Sequence, residues 1–256
     1  MNKIFSSLAK LDETGKSAVL CIVTQSQGST PRKGGSKLLV LNDGTTEGTV
    51  GGGRIEFLVI EEARKMLNSG LTKTIDYDLD GDVGMQCGGK MSIYFEAINS
   101  APRLLIFGGG HIGRVLAEMA LRYHFNVHII DNREEVFRNL KEGIHTIHGA
   151  FPDAYENIEY RESDFVVVTT YKHTYDEEIV AHILKQPHAY LGMMASKRKA
   201  ALARKKWEER GIDKEKINHV FSPIGISILC ETPEEIALSV MGQLVDELNK
   251  TKKKQA

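Results

Sequence analysis

The sequence predicts an α/β protein in two parts, a smaller N-terminal α+β domain and a C-terminal domain built on a parallel sheet. Strand-like apolar runs alternate with helical patterns throughout the second half, which is the order that produces a parallel sheet. In the first half, strand-like runs accompany a single long helical pattern. A polar break, NSAPR at 99–103, separates the two patterns. We therefore expect an N-terminal domain at 1–99 and a C-terminal domain at 102–250.

Composition restricts the class of protein. The chain has 256 residues, 41% of them hydrophobic, which is enough for one large core or two moderate ones. Its 33 Lys and Arg residues balance 34 Asp and Glu residues, so no basic field indicates nucleic acid as a partner. Three widely spaced cysteines form no disulfide framework or zinc pattern and fit a reducing compartment. Because no run suits a signal peptide or membrane span, we expect a cytoplasmic protein without membrane contact.

Apolar spacing places the elements of the N-terminal domain. The first sixteen residues have the pattern of a short amphipathic helix. RIEFLVIEEARKMLNSG (54–70) repeats apolar residues at helical spacing, and Gly70 is expected to end that helix. Strands are expected at AVLCIV (18–23), SKLLVL (36–41), KTIDYDL (73–79) and KMSIYFEAI (90–98).

In the C-terminal domain, strands and helices take turns. LLIF (104–107) is continuously apolar, as in a strand covered on both faces, and an amphipathic helix follows it. Thr174 with Glu177, and Thr232 with Glu235, match the capping box that begins a helix. Further strands are expected at NVHIID (126–131), DFVVVTT (164–170) and YLGMM (190–194), and another helix at 196–211.

A glycine motif joins the first strand of this domain to its helix. Residues 108–113 read GGGHIG, the G-x-G-x-x-G pattern, in which Gly108 makes the turn, Gly110 admits a pyrophosphate and Gly113 packs closely. His111 lies inside the motif, where the helix N-terminus attracts anions. Asp131 ends the next strand and is expected to bind a ribose hydroxyl, which favours NAD over NADP, although Arg133 weakens that preference. The pattern predicts a Rossmann-like domain and leaves open whether it binds NAD, NADP or nothing.

Two more glycine-rich stretches lie in the first half. GTVGGGRIE (48–56) runs into the predicted helix, so Gly51, Gly52 and Gly53 are candidates for a second anion site, with Glu56 in its first turn. GSTPRKGGSK (28–37) places Arg32, Lys33 and Lys37 among small residues that can approach a phosphate. The alternative is two glycine turns with solvated lysines.

Cys87 has an unusual setting in GDVGMQCGG (81–89), where Gly88 and Gly89 follow it directly. The glycines let the backbone bend sharply and approach a ligand closely. A thiol in such a setting raises the possibility of ligation or sulfur chemistry. The alternative is a small residue packed under a tight turn.

Together these motifs resemble the XdhC/CoxI family. GSTPRKGGSKLLV, GTVGGGRIE and GMQCGG resemble its N-terminal domain, while LLIFGGGHIG, YLGMMASKRK and FSPIGISILCETPEEIALSVMGQLV resemble its Rossmann-type domain, from about Gly28 to Leu244. The resemblance implies a non-catalytic accessory protein that binds molybdenum cofactor (molybdopterin) and assists its sulfuration. It also implies partners: a sulfur donor, an apo molybdenum hydroxylase of the xanthine dehydrogenase type, and a second copy in a homodimer.

The resemblance also implies roles for single residues. It makes Cys87 the candidate cofactor or sulfur contact, with a possible contact to molybdenum, and Glu56 the motif glutamate. Some members carry two adjacent cysteines where this chain has Gln86 and Cys87, so a mechanism that needs a vicinal pair is in doubt. Two other readings stay open: an NAD(P)-dependent oxidoreductase, and a nucleotide-sensing binding module.

Overall fold

The computed structural model of the chain describes residues 3–11, 16–67, 69–80, 89–99 and 101–255, with side chains as far as Thr251. The chain divides into two compact units. One consists of Met1–Ser100 with Lys252–Ala256, and the other of Ala101–Thr251. Each unit has its own sheet and its own apolar core.

The N-terminal unit is an antiparallel sheet covered by a helix. In chain order its elements are α1 (Lys3–Ala9), β1 (Ala18–Gly28), β2 (Lys37–Leu41), β3 (Thr46–Gly48), α2 (Gly53–Met66), β4 (Thr72–Asp78) and β5 (Gly89–Ile98). The strands lie in the order β3-β2-β1-β5-β4, and every neighbouring pair is antiparallel. Helix α2 turns Ile55, Val59 and Ala63 onto the sheet, where they are buried.

Helix α2 ends earlier than the sequence predicts. It stops at Met66, and Ser69 then caps the Met66 carbonyl with its N–H at 3.1 Å and its hydroxyl at 2.7 Å. Gly70 lies beyond the helix, in the turn before β4, with φ +66°. Serine side chains near helix ends compete for the helix carbonyls. Ser69, and not Gly70, therefore terminates helix α2.

The C-terminal unit is a five-stranded parallel sheet, so the predicted fold class is confirmed. Its elements are β6 (Arg103–Phe107), α3 (His111–Arg122), β7 (Asn126–Asp131), a 3₁₀ turn (Glu134–Phe137), β8 (Ile144–His148), α4 (Phe151–Glu156), β9 (Phe165–Val168), α5 (His173–Ile183), β10 (Tyr190–Met193), α6 (Lys197–Glu209), α7 (Lys214–Asn218) and α8 (Pro233–Gln255). The strand order is β10-β9-β6-β7-β8, with every pair parallel and the carboxyl ends of the strands at one edge.

Apolar clusters cover both faces of the parallel sheet. Trp207 of α6 is fully buried in one of them and donates its indole N–H to the carbonyl of Glu177 on α5 at 3.0 Å. This bond satisfies the one polar group that the indole ring carries into the core. Among the described helices, none is long and apolar enough to cross a membrane.

One of the two predicted capping boxes is present. Glu235 donates its N–H to the Thr232 hydroxyl at 3.2 Å, and the Glu235 carboxylate accepts from the Thr232 N–H at 3.0 Å. The prediction at Thr174 is wrong, because α5 already begins at His173 and has no side-chain cap at Lys172.

Candidate functional site

Two of the three N-terminal motifs pair through the sheet. Gly89, the first residue of β5, is the register partner of Gly28 at the end of β1. A methyl group on Gly89 would lie 2.6 Å from the carbonyl oxygen of Ser29 and 2.8 Å from that of Gln27. The start of the GSTPRKGGSK stretch is therefore packed against the chain that follows residues 81–88.

The third motif joins the same corner of the sheet. A methyl group on Gly51 would lie 2.7 Å from the ring of Pro31, and the N–H of Thr49 donates to the carbonyl of Lys37 at 2.9 Å. The described residues of all three glycine-rich stretches, with Gly89 representing the third, thus meet at one place. Distant sequence positions that contact one another in this way form a single candidate site, although neither their spacing nor composition reveals it.

The Glu56 side chain is hydrogen-bonded to main-chain N–H groups of its own glycine turn. Its carboxylate accepts hydrogen bonds from the N–H of Val50 and of Gly52, both at 3.1 Å, and from the hydroxyl of Thr49. Burial acts to raise the pKa of Glu56, but these bonds outweigh it and hold the pKa below its ordinary value. The predicted anion site therefore holds an anion from the protein itself, and an external phosphate would not find these N–H groups available.

Gly52 and Gly53 still present open backbone beside this turn. Their φ angles are +73° and +58°, and a methyl group on either would meet no atom within 4 Å. Left-handed backbone of this kind favours glycine. A ligand can therefore approach the main chain closely where α2 begins.

The predicted basic residues lie at the surface of this corner. Arg32 and Lys33 are exposed, and no carboxylate in the described part of the chain forms an ion pair with either. Lys37 is half-buried and donates its ammonium group to the carbonyl of Gly35 at 3.0 Å. Arg32 and Lys33 are thus the cations best placed to meet an anionic ligand here.

Cys87 and Gly88 lie outside the described residues. The two described cysteines differ from each other: Cys21 is buried in β1, whereas Cys230 is partly exposed before α8. Burial raises the pKa of the Cys21 thiol to about 12, so it remains protonated and inert. Among the described side chains, no three His, Cys, Asp or Glu groups lie together as metal ligands would.

A polar depression of about 330 Å³ opens on the N-terminal sheet beside the start of β5. The Ser92 hydroxyl donates to the Asp76 carboxylate at 2.5 Å within it, and Lys90 lies 3.7 Å from Asp78. Its other lining residues are Gln25, Gln27, Tyr77 and Met91. Carboxylates and side-chain amides suit a flat ligand that carries both hydrogen-bond donors and acceptors.

In the C-terminal unit, the glycine motif forms a tight turn after β6. Gly108 has φ +112°, and a methyl group there would lie 2.2 Å from the carbonyl oxygen of Thr169. A methyl group on Gly113 would lie 2.0 Å from the carbonyl oxygen of Gly108. Both glycines are therefore required by close packing of strand, turn and helix.

Gly110 faces open space at the start of α3. A methyl group on Gly110 would meet no atom within 4 Å, and α3 has no side-chain cap. His111, the first helical residue, is exposed. The main-chain geometry here fits the pyrophosphate of a nucleotide.

Asp131, the expected ribose ligand, is hydrogen-bonded within the protein. Its side chain has no exposed surface, and its carboxylate accepts from the Gly109 N–H at 2.8 Å. Arg133 donates to it from its main-chain N–H, from Nε and from Nη2, at 3.0, 3.0 and 2.8 Å. Burial acts to raise the pKa of Asp131, yet these bonds outweigh it and hold that pKa low. Asp131 is thus the counter-ion of Arg133.

A cluster of titratable groups adjoins the same turn. Asp176 is 2% exposed and accepts from the N–H and hydroxyl of Thr170, at 3.0 and 2.6 Å, and from Nδ1 of His173 at 3.2 Å. The other ring nitrogen of His173 contacts the Lys199 ammonium group. Burial raises the pKa of Asp176, and its hydrogen bonds offset only part of that rise. Asp176 thus orients the imidazole, and the imidazole holds Lys199.

The cluster lies at the carboxyl ends of β9 and β10, where such sheets bind ligands. Thr170 links it to the glycine turn, because a methyl group on Gly108 would lie 2.9 Å from the Thr170 Cα atom. Sequence reasoning does not single out Asp176 or Lys199. The nearest signal is His173 followed by Asp176 three residues later, a spacing that places the two on one helix face.

The comparisons with known proteins cover both units. Residues 104–244 match the model described as XdhC Rossmann domain, and residues 11–78 match the XdhC and CoxI family. Uncharacterized protein YqeB of Escherichia coli strain K12 is 34% identical over 253 residues, which are 96% of this chain and 46% of that protein.

Two further relatives have descriptive names. A probable xanthine dehydrogenase subunit of Bacillus subtilis strain 168 is 28% identical over 60% of this chain and 45% of its own length. Molybdenum cofactor insertion chaperone PaoD of Escherichia coli strain K12 is 33% identical over 36% of this chain and 30% of its own length. The chain therefore spans less than half the length of these three relatives.

A solved structure supports the fold. The crystal structure of a xanthine dehydrogenase from Bacillus halodurans has a TM-score of 0.55 and 21% identity, over 98% of this chain and 96% of that one. Family matches of this extent, in the order that the motifs predict, show that the chain belongs to the XdhC and CoxI family.

Proposed function

We propose that the protein is a maturation factor for a molybdenum hydroxylase of the xanthine dehydrogenase type. In this proposal it binds molybdenum cofactor as cargo, assists its sulfuration together with a sulfur donor, and delivers it to the apoenzyme. Residues 1–99 act as the cargo domain and 102–250 as the Rossmann-type domain, in a cytoplasmic homodimer. Names of relatives that refer to xanthine dehydrogenase and to molybdenum cofactor insertion support it.

The observation that carries the proposal is the meeting of three glycine-rich stretches at one corner of the N-terminal sheet. Gly89 packs on Ser29, and Gly51 packs on Pro31. Cys87 stands two residues before Gly89 in the sequence and belongs to the same glycine-rich motif. A site assembled from three separate segments is typical of ligand binding on loops held by a rigid scaffold.

In this proposal, the residues of this corner contact different parts of the cargo. Arg32 and Lys33 attract the phosphate end of the cargo through charge. Glu56 holds the 48–56 turn in shape, so that the open backbone at Gly52 and Gly53 stays accessible. Gln25, Gln27 and Asp76 in the neighbouring depression suit the amide and amino groups of a pterin ring. The Cys87 thiolate contacts the sulfur-bearing end.

The test is the pterin content of protein purified from cells supplied with molybdate. We expect pterin on the wild type and on Cys230→Ala, and at least about tenfold lower occupancy on Cys87→Ala. Cys230→Ala is the matched control, because it removes the partly exposed thiol of the other unit. Equal pterin content in Cys87→Ala and wild type would remove the thiol from the proposed site.

A second experiment separates the contribution of the basic side chains to cargo binding from that of the Cys87 thiol. Arg32→Ala combined with Lys33→Ala is expected to weaken cargo binding and its dependence on salt, since exposed charges are screened by salt. Arg122→Ala combined with Lys214→Ala removes the same charge from exposed positions of the C-terminal unit and serves as control. Each variant is also coexpressed with a xanthine dehydrogenase-type apoenzyme, whose activation should fall in parallel with pterin content.

A further inference from the structure

A stack of side chains connects the core of the C-terminal unit to Asp131. The Arg133 guanidinium lies 4.4 Å from the centre of the Tyr171 ring. Tyr171 packs edge-on against Tyr175 at 5.7 Å, and Tyr175 against buried Phe151 at 5.1 Å. A cation held over an aromatic face that is itself supported from behind is fixed in position.

The stack passes over the glycine turn. Tyr171 follows β9 and Arg133 follows β7, and in the sheet β6 lies between these two strands. The side-chain amide of Asn132 also donates to the Tyr171 hydroxyl at 3.2 Å. The contact between the loops therefore spans the carboxyl end of β6, where Gly108–Gly110 lie and where a dinucleotide would cross the sheet.

Asp131 has no hydrogen-bonding capacity left for a ribose. An ionised carboxylate has about four acceptor positions, and the N–H of Gly109 together with the three donors of Arg133 fill them. A ribose diol would have to displace the Arg133 side chain, which is 30% exposed, from a carboxylate with no exposed surface. That exchange replaces a cationic, bidentate donor with neutral hydroxyl donors, so the ion pair is lost.

We propose that Arg133 and Tyr171 form a clamp that closes the adenosine half of the Rossmann crevice, so that this domain rejects adenine dinucleotides. Arg133 and Tyr171 are then the residues that determine ligand specificity at the turn, and Asp131 positions Arg133. The glycine turn itself is not the obstacle, because Gly110 remains open to a phosphate. The clamp restricts the turn to phosphorylated ligands that do not place an adenosine ribose at Asp131. This inference stands apart from the cargo proposal, which concerns the other unit.

The test measures NAD⁺ and ADP-ribose binding to the full chain by titration calorimetry. We expect no binding by the wild type at about 1 mM ligand, and measurable binding with a Kd of about 100 μM or lower for Arg133→Ala and for Tyr171→Ala. Tyr123→Ala is the matched control, because it removes an exposed tyrosine of the same unit. It should bind no better than the wild type.

The wild type alone can overturn the proposal. Binding of NAD⁺ with a Kd below about 100 μM, abolished by Asp131→Asn, would show that the carboxylate serves a ribose after all. Folding of each variant is checked by circular dichroism. If Arg133→Ala leaves Asp131 unpaired and fails to fold, Tyr171→Ala decides, because it removes the ring that holds the Arg133 side chain over Asp131 and so lets that side chain move aside for a ribose. No gain in that folded variant would also contradict the clamp.

Discussion

The carboxylate of Glu56 accepts the main-chain N–H of Gly52, the residue that precedes α2. A helix N-terminus with a glycine turn normally attracts an external anion. Here the helix supplies that anion from its own first turn. The turn is therefore built to be rigid before any ligand arrives, and the phosphate of a cargo must rely on Arg32, Lys33 and the open glycines.

Replacement of Glu56 should destabilise the N-terminal unit. Glu56→Ala removes an acceptor from two main-chain N–H groups and a hydroxyl, and we expect a loss of about 2 kcal/mol in unfolding free energy. Urea unfolding followed by circular dichroism measures it. The control is Glu61→Ala on the exposed side of α2, which should change stability by less than about 0.5 kcal/mol.

The same carboxylate makes stability depend on pH. Its pKa in the folded protein lies below the ordinary value, so its contribution is fully present above that ordinary value and is lost as pH falls through the folded pKa. In Glu56→Ala, the midpoint of urea unfolding should therefore fall less steeply as the pH is lowered. An unchanged pH profile would contradict the hydrogen-bonded, ionised state of Glu56.

Two glycines of the Rossmann turn should respond in opposite ways to alanine. Gly113→Ala places a methyl group 2.0 Å from the carbonyl of Gly108, and we expect it to cost about 3 kcal/mol. Gly110→Ala meets no atom within 4 Å at an ordinary φ of −68° and should stay within about 0.5 kcal/mol of the wild type. Thermal unfolding distinguishes them, and equal stabilities would refute the packing argument.

The two described cysteines should differ in reactivity. Cys21 is fully buried and its pKa is raised to about 12, so iodoacetamide should not modify it in the folded protein. Cys230 is partly exposed and should react. Peptide mass spectrometry after brief labelling reads out both sites. Labelling of Cys21 at the rate of Cys230 would mean that β1 opens far more readily than its burial implies.

His128 should lower stability in mild acid. Burial, with smaller contributions from His145, Arg103 and Arg161, lowers its pKa from 6.5 to about 4. Between pH 6.5 and about 4, the unfolded chain therefore binds a proton that the folded chain does not bind. The free energy of unfolding falls as the pH drops through this range.

Removing the imidazole tests this pH dependence. His128→Gln should flatten the profile of urea midpoints over this range, while His111→Gln, at an exposed position, should leave it unchanged. A steeper profile in His128→Gln would contradict a neutral, buried imidazole.

The parallel sheet could be predicted from local patterns. NVHIID forms β7 over the residues expected, since a strand buried on both faces shows as an unbroken apolar run. Strand β1, by contrast, runs on to Gly28 beyond its apolar part, because pairing with β5 carries polar residues into the ladder. The short strand Thr46–Gly48 has no apolar pattern at all and depends on its pairing with β2.

The candidate sites are predictable only in part. Glycine patterns identify the turns, but not what fills them. The sequence places Glu56 near an anion site, and its carboxylate proves to be the anion bound there. Asp131 lies where the motif places it, yet its partner is Arg133, two residues away. Side-chain direction and tertiary pairing decide such outcomes, and neither follows from residue spacing.

Trp207 gives this protein a built-in reporter. It is the chain's single tryptophan, it lies in the Ala101–Thr251 unit, and its indole is bonded to Glu177 in a dry environment. Indole fluorescence should therefore shift to longer wavelength when that unit unfolds, and it should stay unchanged when the N-terminal unit unfolds. Comparison of the tryptophan emission with the far-ultraviolet circular dichroism of the whole chain would assign each unfolding transition to one unit, without separating the two units.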